Sequence, residues 1–162
     1  LKSTLLGSHY LPITDEMRLV TRAEVGSLIG LGDDIRLNDR FLLGGDNLRG
    51  FANGGAGPRD SISGDSLGGE RMANGSLELV FPLGLPDEFG ISGAVFTDAG
   101  YLSGVDSGGA SIQDTGSIRA SVGTGIKWIS PFGPIRVDFS QAVLKEDFDD
   151  TEIFRFNFGT RF

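Results

Sequence analysis

Apolar residues recur at every second position through much of this chain. The pattern is clearest in residues 152–162, which read EIFRFNFGTRF. Strict alternation over such a length predicts a β-strand with one apolar and one polar face. The apolar face carries Phe154, Phe156, Phe158, Thr160 and Phe162, and the opposite face carries Arg155, Asn157, Gly159 and Arg161.

Six further segments alternate in the same way and are separated by turn-forming residues. No stretch shows the 3.6-residue period of a helix, so the sequence predicts an all-β chain of about seven strands. The predicted strands span residues 2–11, 17–30, 72–81, 89–102, 118–129, 135–143 and 152–162.

The connections between these strands alternate in length. Residues 12–16, 82–88 and 130–134 are short connections, whereas 31–71 and 103–117 are long and 144–151 is intermediate. Barrels of the bacterial outer membrane have short periplasmic turns and longer external loops. The alternation of short and long connections therefore predicts an antiparallel transmembrane β-barrel, with a long external loop at about 31–71 and the C-terminus on the periplasmic side.

The polar faces of the predicted strands are rich in charge, which a dry protein core could not accommodate. A water-filled lumen suits them, and the apolar faces would then contact lipid. We expect Val122, Ile126, Val137, Phe154, Phe156 and Phe158 on the outer wall, and Arg119, Arg136, Asp138 and Arg155 on the inner wall.

Composition narrows the class of protein. The chain has 162 residues, a net charge of −8 and no cysteine. The acidic balance argues against nucleic acid as a partner, and the lack of cysteine excludes disulfides and thiolate metal sites. The chain begins with LKSTLLG, without a signal-peptide pattern, and we expect it to be a C-terminal piece of a longer protein.

Three local patterns mimic catalytic or metal sites. Residues 105–109 (VDSGG) are similar to the nucleophile segment of a serine protease. The single histidine, His9, lies on a predicted strand near the start of the chain, far in sequence from this segment. The aspartic-protease tripeptides at 106–108 and 114–116 lie too close together to come from two facing lobes. The acidic residues Asp60, Asp65 and Glu70 lack the spacing of a metal-binding loop. We therefore predict no enzyme, no metal and no cofactor.

Residues 40–51 (RFLLGGDNLRGF) place an Arg-Gly-Phe tip within the long connection. This tip resembles the signature of the BamA family of outer-membrane assembly proteins, with Leu48 where valine is commoner. Further motifs resemble the family in order: GPRD at 57–60, SLGGE at 66–70, SLELVFP at 76–82, VFTDAG at 95–100, GIKWISPFGPIRVDF at 125–139 and the final Phe162. The resemblance covers essentially the whole chain.

The resemblance implies the C-terminal half of a sixteen-stranded barrel in the bacterial outer membrane. It implies a protein that folds and inserts other outer-membrane β-barrels, with unfolded barrel proteins, accessory assembly lipoproteins and membrane lipid as partners. The long loop would fold into the lumen, where Arg49, Gly50 and Phe51 meet Phe96 and Asp98. The last strand, with Phe154, Phe156, Phe158 and Phe162, would form one side of a lateral seam and carry the C-terminal recognition signal.

Other interpretations stay open on the sequence alone. A TamA-like or two-partner-secretion transporter of the same superfamily would share the Arg-Gly-Phe loop. A passive porin or adhesin barrel would have a mobile long loop without pairing between Arg49 and Asp98. A soluble carbohydrate- or ligand-binding β-domain is a third alternative. Since about seven antiparallel strands cannot close a ring, we expect this chain to join further strands or another copy.

Overall fold

One antiparallel sheet of seven strands dominates the computed structural model, which describes residues 1–31, 35–105 and 111–159. The strands are β1 (Lys2–Pro12), β2 (Arg18–Leu28), β3 (Arg59–Asp60), β4 (Arg71–Pro82), β5 (Ile91–Ser103), β6 (Ile112–Gln113), β7 (Ile118–Ser130), β8 (Gly133–Leu144) and β9 (Phe154–Phe158). Short 3-10 helices occupy Leu37–Asp39 and Asp87–Phe89. In the described part of the chain, no helix is long and apolar enough to cross a membrane.

The order of strands in the large sheet is β1-β2-β4-β5-β7-β8-β9. Each strand therefore pairs with the strands of this sheet that precede and follow it in the chain. The predicted antiparallel, all-β fold is confirmed. A separate two-stranded sheet of β3 and β6 joins the two long connections and was not predicted. β1 and β9 form the two edges of the large sheet, and within the described residues they do not pair with each other.

The last strand is shorter than the sequence predicted. Alternation suggested a strand over residues 152–162, whereas β9 spans Phe154–Phe158. Continuing the alternation backwards would place Glu152 on the same face as Phe154, where a charge is unfavourable. The residues just before Phe154 therefore lie outside the large sheet. Residues 160–162, including the predicted Phe162, lie outside the described part.

The polarity of the sheet is reversed relative to that of a soluble protein. Asp98, Arg119 and Asp138 are each only 1% exposed, although they are charged. By contrast, Phe156 and Phe158 are 56% and 60% exposed. The alternating pattern predicts this arrangement, because one face of every strand is polar and the other apolar. Val137 and Arg155, predicted on opposite walls, are both partly buried.

The long connection between β2 and β4 folds back over the charged face of the sheet. Its apolar side chains form the larger of the two buried apolar clusters among the described residues, and residues at the ends of β2, β4 and β5 beside the long connections complete it. The members are Leu28, Phe41, Leu43, Leu48, Phe51, Ala56, Met72 and Leu102. Burial of this cluster fixes the tip of the connection against the inner wall, and so positions the site described next.

Candidate functional site

Arg49, at the tip of the long connection, lies at the centre of a buried ionic network on the inner wall. Its Nε and Nη2 donate to the two carboxylate oxygens of Asp98 over 2.7 and 2.6 Å, and its backbone N–H donates to the same carboxylate over 3.1 Å. Nη1 donates to Glu78 Oε2 over 2.6 Å, and Nη2 to Ser76 Oγ over 2.9 Å. Bidentate pairing of this kind fixes both the position and the plane of a guanidinium.

The network continues beyond Arg49 through residues that the sequence placed on polar faces but not in the site. Glu78 also accepts from Arg136 Nη2 over 2.6 Å and contacts the ammonium of Lys127. Arg136 Nε in turn donates to Asp138 Oδ2 over 2.6 Å. Strict alternation in SLEL (76–79), GIKW (125–128) and IRVD (135–138) was the available signal, because it points Glu78, Lys127, Arg136 and Asp138 towards the same lumen.

The charges of the network balance. Three cations, Arg49, Lys127 and Arg136, meet three carboxylates, Glu78, Asp98 and Asp138. Balanced, hydrogen-bonded charges are tolerated in a buried setting, whereas one unpaired charge would be costly. Burial disfavours the charge of Arg49, but the hydrogen bond and negative charge of Asp98 outweigh burial and raise the pKa of Arg49. The ion pairs of Arg49 therefore join the long connection to the sheet.

Phe96 supplies an apolar surface for the guanidinium. The Cζ atom of Arg49 lies 3.4 Å from the centre of the Phe96 ring, a stacking distance. The other side of the ring rests on Gly123 of β7, where an added Cβ would come within 2.4 Å of the ring. The neighbouring strand therefore needs glycine at this position so that the ring, and Arg49 above it, can lie flat against the wall.

The other two residues of the predicted tip contact different parts of the protein. Gly50 has a φ of 93°, and an added Cβ would come within 2.9 Å of Ser121 Cβ. Phe51 is fully buried in the apolar cluster and forms a backbone bridge with Thr151. The structure thus brings Arg49, Phe96 and Asp98 together, and directs Phe51 towards the segment that precedes β9.

The acidic residues of the long connections form local hydrogen bonds. Asp60 accepts from the backbone N–H groups of Ile62 and Ser63, which lower the pKa of Asp60 below its ordinary value. Asp114 accepts from Ser103 and from the backbone of Gly104. These bonds account for both carboxylates as turn-stabilising groups. The tripeptide at 106–108 lies outside the described residues.

The phenylalanines of β9 lie at the edge of the sheet. Phe154 packs against Phe139 of β8 with ring centres 5.3 Å apart, and Phe156 and Phe158 continue the same exposed face. β9 pairs with β8 on one side only, so its other side presents free backbone groups in the described structure.

Comparison with known proteins accounts for the combination of a charged inner wall, a folded-back loop and an apolar outer face. The Omp85 superfamily domain matches residues 1–162, the whole chain. The chain belongs to the Omp85 superfamily. The BamA-type resemblance seen in the sequence is thereby confirmed at the level of the family.

Two relatives of this Omp85 chain carry the name outer membrane protein assembly factor BamA. The protein from Neorickettsia risticii is 34% identical over 166 residues, which cover 100% of this chain and 22% of the relative. The protein from Neisseria meningitidis is 28% identical over 183 residues, covering 94% of this chain and 23% of the relative. The chain therefore spans about a fifth to a quarter of the length of these two relatives.

A solved structure shares the fold. The crystal structure of BamA from Haemophilus ducreyi lacking POTRA domains 1–3 superposes with a TM-score of 0.82 at 26% identity. The match covers 96% of this chain and 34% of that one.

Proposed function

We propose that this Omp85 chain is the C-terminal part of an outer-membrane barrel that folds and inserts other β-barrel proteins, with its C-terminus on the periplasmic side. Similarity over the whole chain to proteins named outer membrane protein assembly factors supports this proposal. Its partners are unfolded outer-membrane proteins, membrane lipid and accessory lipoproteins. The role requires no covalent chemistry, so we propose a protein that is not an enzyme.

The observation that carries the proposed seam is the position of β9 as the last strand of the sheet. Among the described residues, β9 pairs with β8 on one side only, beside an exposed row of phenylalanines, and in the full-length protein its other side would meet a strand outside this chain or a substrate strand. Such an edge is a template on which another strand can pair. In our proposal, β9 forms one side of a lateral seam, and an incoming strand pairs there before it moves into the bilayer.

The network around Arg49 gives the seam a rigid support. Arg49 joins the long connection to β4 through Glu78 and to β5 through Asp98. The alternative of a passive porin or adhesin barrel predicts a mobile long connection without pairing between Arg49 and Asp98, whereas the two residues form an ion pair here. We therefore propose a loop lock that keeps the inner wall fixed while β9 pairs with one substrate strand after another. Its members are Arg49, Gly50, Phe51, Phe96 and Asp98.

Reconstitution of the full-length protein into liposomes tests the function. A urea-denatured outer-membrane barrel protein would be added, and its folding followed by resistance to protease and to SDS. We expect faster folding than with empty liposomes, with the product embedded in the bilayer. Ion conductance without faster folding would support a passive pore, and delivery of substrate into the liposome interior would support a secretion transporter. Either result would contradict the proposal.

A further inference from the structure

The tip of the long connection also pairs, through its backbone, with the segment that leads into β9. Ala52 N–H donates to the carbonyl of Asp150 over 3.0 Å, and Glu152 N–H donates to the carbonyl of Gly50 over 3.1 Å. Asp150 N–H donates to the carbonyl of Gly55 over 2.9 Å. These three bonds form a short ladder around the bridge between Phe51 and Thr151.

This ladder takes the place of pairing within the large sheet. β8 continues to Leu144, yet its pairing with β9 ends at Phe139 opposite Phe154. One further bond, from Ser140 N–H to the carbonyl of Ile153 over 2.8 Å, marks where the two segments part. Residues 150–152 therefore have two possible neighbours, the end of β8 or the loop tip, and the structure shows them on the loop tip.

The sequence favours the loop tip. If residues 150–152 continued β9 along β8, the two-residue period would turn Asp150 and Glu152 towards the face of Phe154 and Phe156. That face is apolar, and acidic side chains are unfavourable in lipid. On the loop tip, Glu152 instead contacts the guanidinium of Arg155.

Side chains on the inner face of β9 reinforce the contact. Asn157 Nδ2 donates to Asp46 Oδ1 over 3.2 Å, and Arg155 Nη1 lies 3.4 Å from the same oxygen. Arg155 Nη2 also lies 3.5 Å from Asn53 Oδ1. The loop tip thus contacts β9 both through the backbone ahead of the strand and through side chains within it.

We propose that the loop tip is a splint for the last strand: residues 50–55 hold residues 150–152 away from β8 and so set where β9 begins. Arg49 directly precedes the splint, so the loop lock positions the residues that hold the start of β9. Release of the tip loosens residues 149–159 and changes how much of the β9 edge is available for pairing. The importance of this coupling for assembly rests on the proposed function.

Gly55→Ala tests the splint without touching Arg49 or its partners. An added Cβ at Gly55 would lie 2.2 Å from the carbonyl oxygen of Asp150, a backbone atom that must move away. Gly75→Ala is the matched control, because the nearest atom to its added Cβ is 3.7 Å away. Both variants would be made in the full-length protein, purified in detergent micelles, and compared by hydrogen–deuterium exchange with mass spectrometry.

We expect Gly55→Ala to accelerate exchange in residues 149–159 by at least about tenfold, because the ladder bonds are lost and the segment opens more often. Exchange in β5 should stay at the parental rate, as should both regions in Gly75→Ala. An unchanged rate in residues 149–159, or an equal acceleration in β5, would overturn the proposal. Exchange does not depend on assembly activity, so the splint and the proposed function can fail separately.

If Gly55→Ala does not fold, a second pair of variants tests the same proposal. Glu152→Pro removes the N–H that bonds to Gly50, whereas Glu152→Ala removes the carboxylate and keeps that N–H. We expect faster exchange of residues 154–159 in the proline variant than in the alanine variant. Equal exchange rates in the two variants would overturn the proposal.

Discussion

Arg49→Ala is the most severe single change that we predict for the inner wall. Asp98 is 1% exposed, and its side-chain partner among the described residues is Arg49. Truncation of Arg49 therefore leaves the Asp98 carboxylate buried without a countercharge. Glu78 is affected less, because Lys127 and Arg136 still neutralise it.

The size of the effect follows from this asymmetry. Removal of one partner from a buried ion pair costs about 3–5 kcal/mol, and we expect Arg49→Ala to lower the free energy of unfolding by that amount. Asp98→Ala should cost less, about 2–3 kcal/mol, because Arg49 keeps its 2.6 Å contact with Glu78. The double variant should be no less stable than Arg49→Ala, since it leaves no carboxylate at position 98 to be stranded.

Unfolding by guanidinium chloride of the full-length protein in lipid vesicles, followed by tryptophan fluorescence, measures these changes. Arg155→Ala is the control, because its carboxylate partners Asp46 and Glu152 are both exposed to solvent and such pairs contribute at most about 1 kcal/mol. If the losses of Arg49→Ala and Asp98→Ala add in the double variant, the two residues act independently and the ion-pair account is wrong.

Two further predictions concern the two faces of the wall. Leu77→Arg, on the exposed outer face of β4, should destabilise the protein in lipid by about 2–4 kcal/mol, whereas Asn74→Arg on the inner face of the same strand should cost much less. Equal losses would contradict the assigned faces. Gly123→Ala would bring its Cβ within 2.4 Å of Phe96 and should displace Arg49, costing about 1–3 kcal/mol in the same unfolding assay. Wild-type stability would show that the ring can move freely.

Much of the fold follows from alternation alone. Apolar and polar residues repeat with period two over β7 and β8 so regularly that both walls and the antiparallel order could be predicted. The alternating lengths of the connections predict that the long loop is external, and this direction stays a prediction. The start of β9 was predicted too early: the charge of Glu152 on the face of Phe154 was the available signal, and the pairing of Thr151 with Phe51, which draws the chain off the sheet, could not be predicted from alternation.

The candidate site was predictable in part. Placement of Phe96 and Asp98 on one face followed from the period of β5, but their contact with Arg49 came from resemblance to a known family. The roles of Glu78 and Lys127 were not predicted, because they lie far apart in sequence, on β4 and β7. Pairing of both strands with β5 places them one strand apart, where Lys127 contacts Glu78.

Site-specific cross-linking at β9 tests the central claim most directly. This chain has no cysteine, so Asn157→Cys on β9 and Asn74→Cys on β4 would each give it a single thiol, and any cysteine elsewhere in the full-length protein would be replaced by serine. A barrel substrate with one cysteine in its last strand would be captured by oxidation while it assembles. We predict a disulfide from position 157 and none from position 74. Normal assembly of the substrate without a cross-link at position 157, or with equal cross-linking from both positions, would contradict the account.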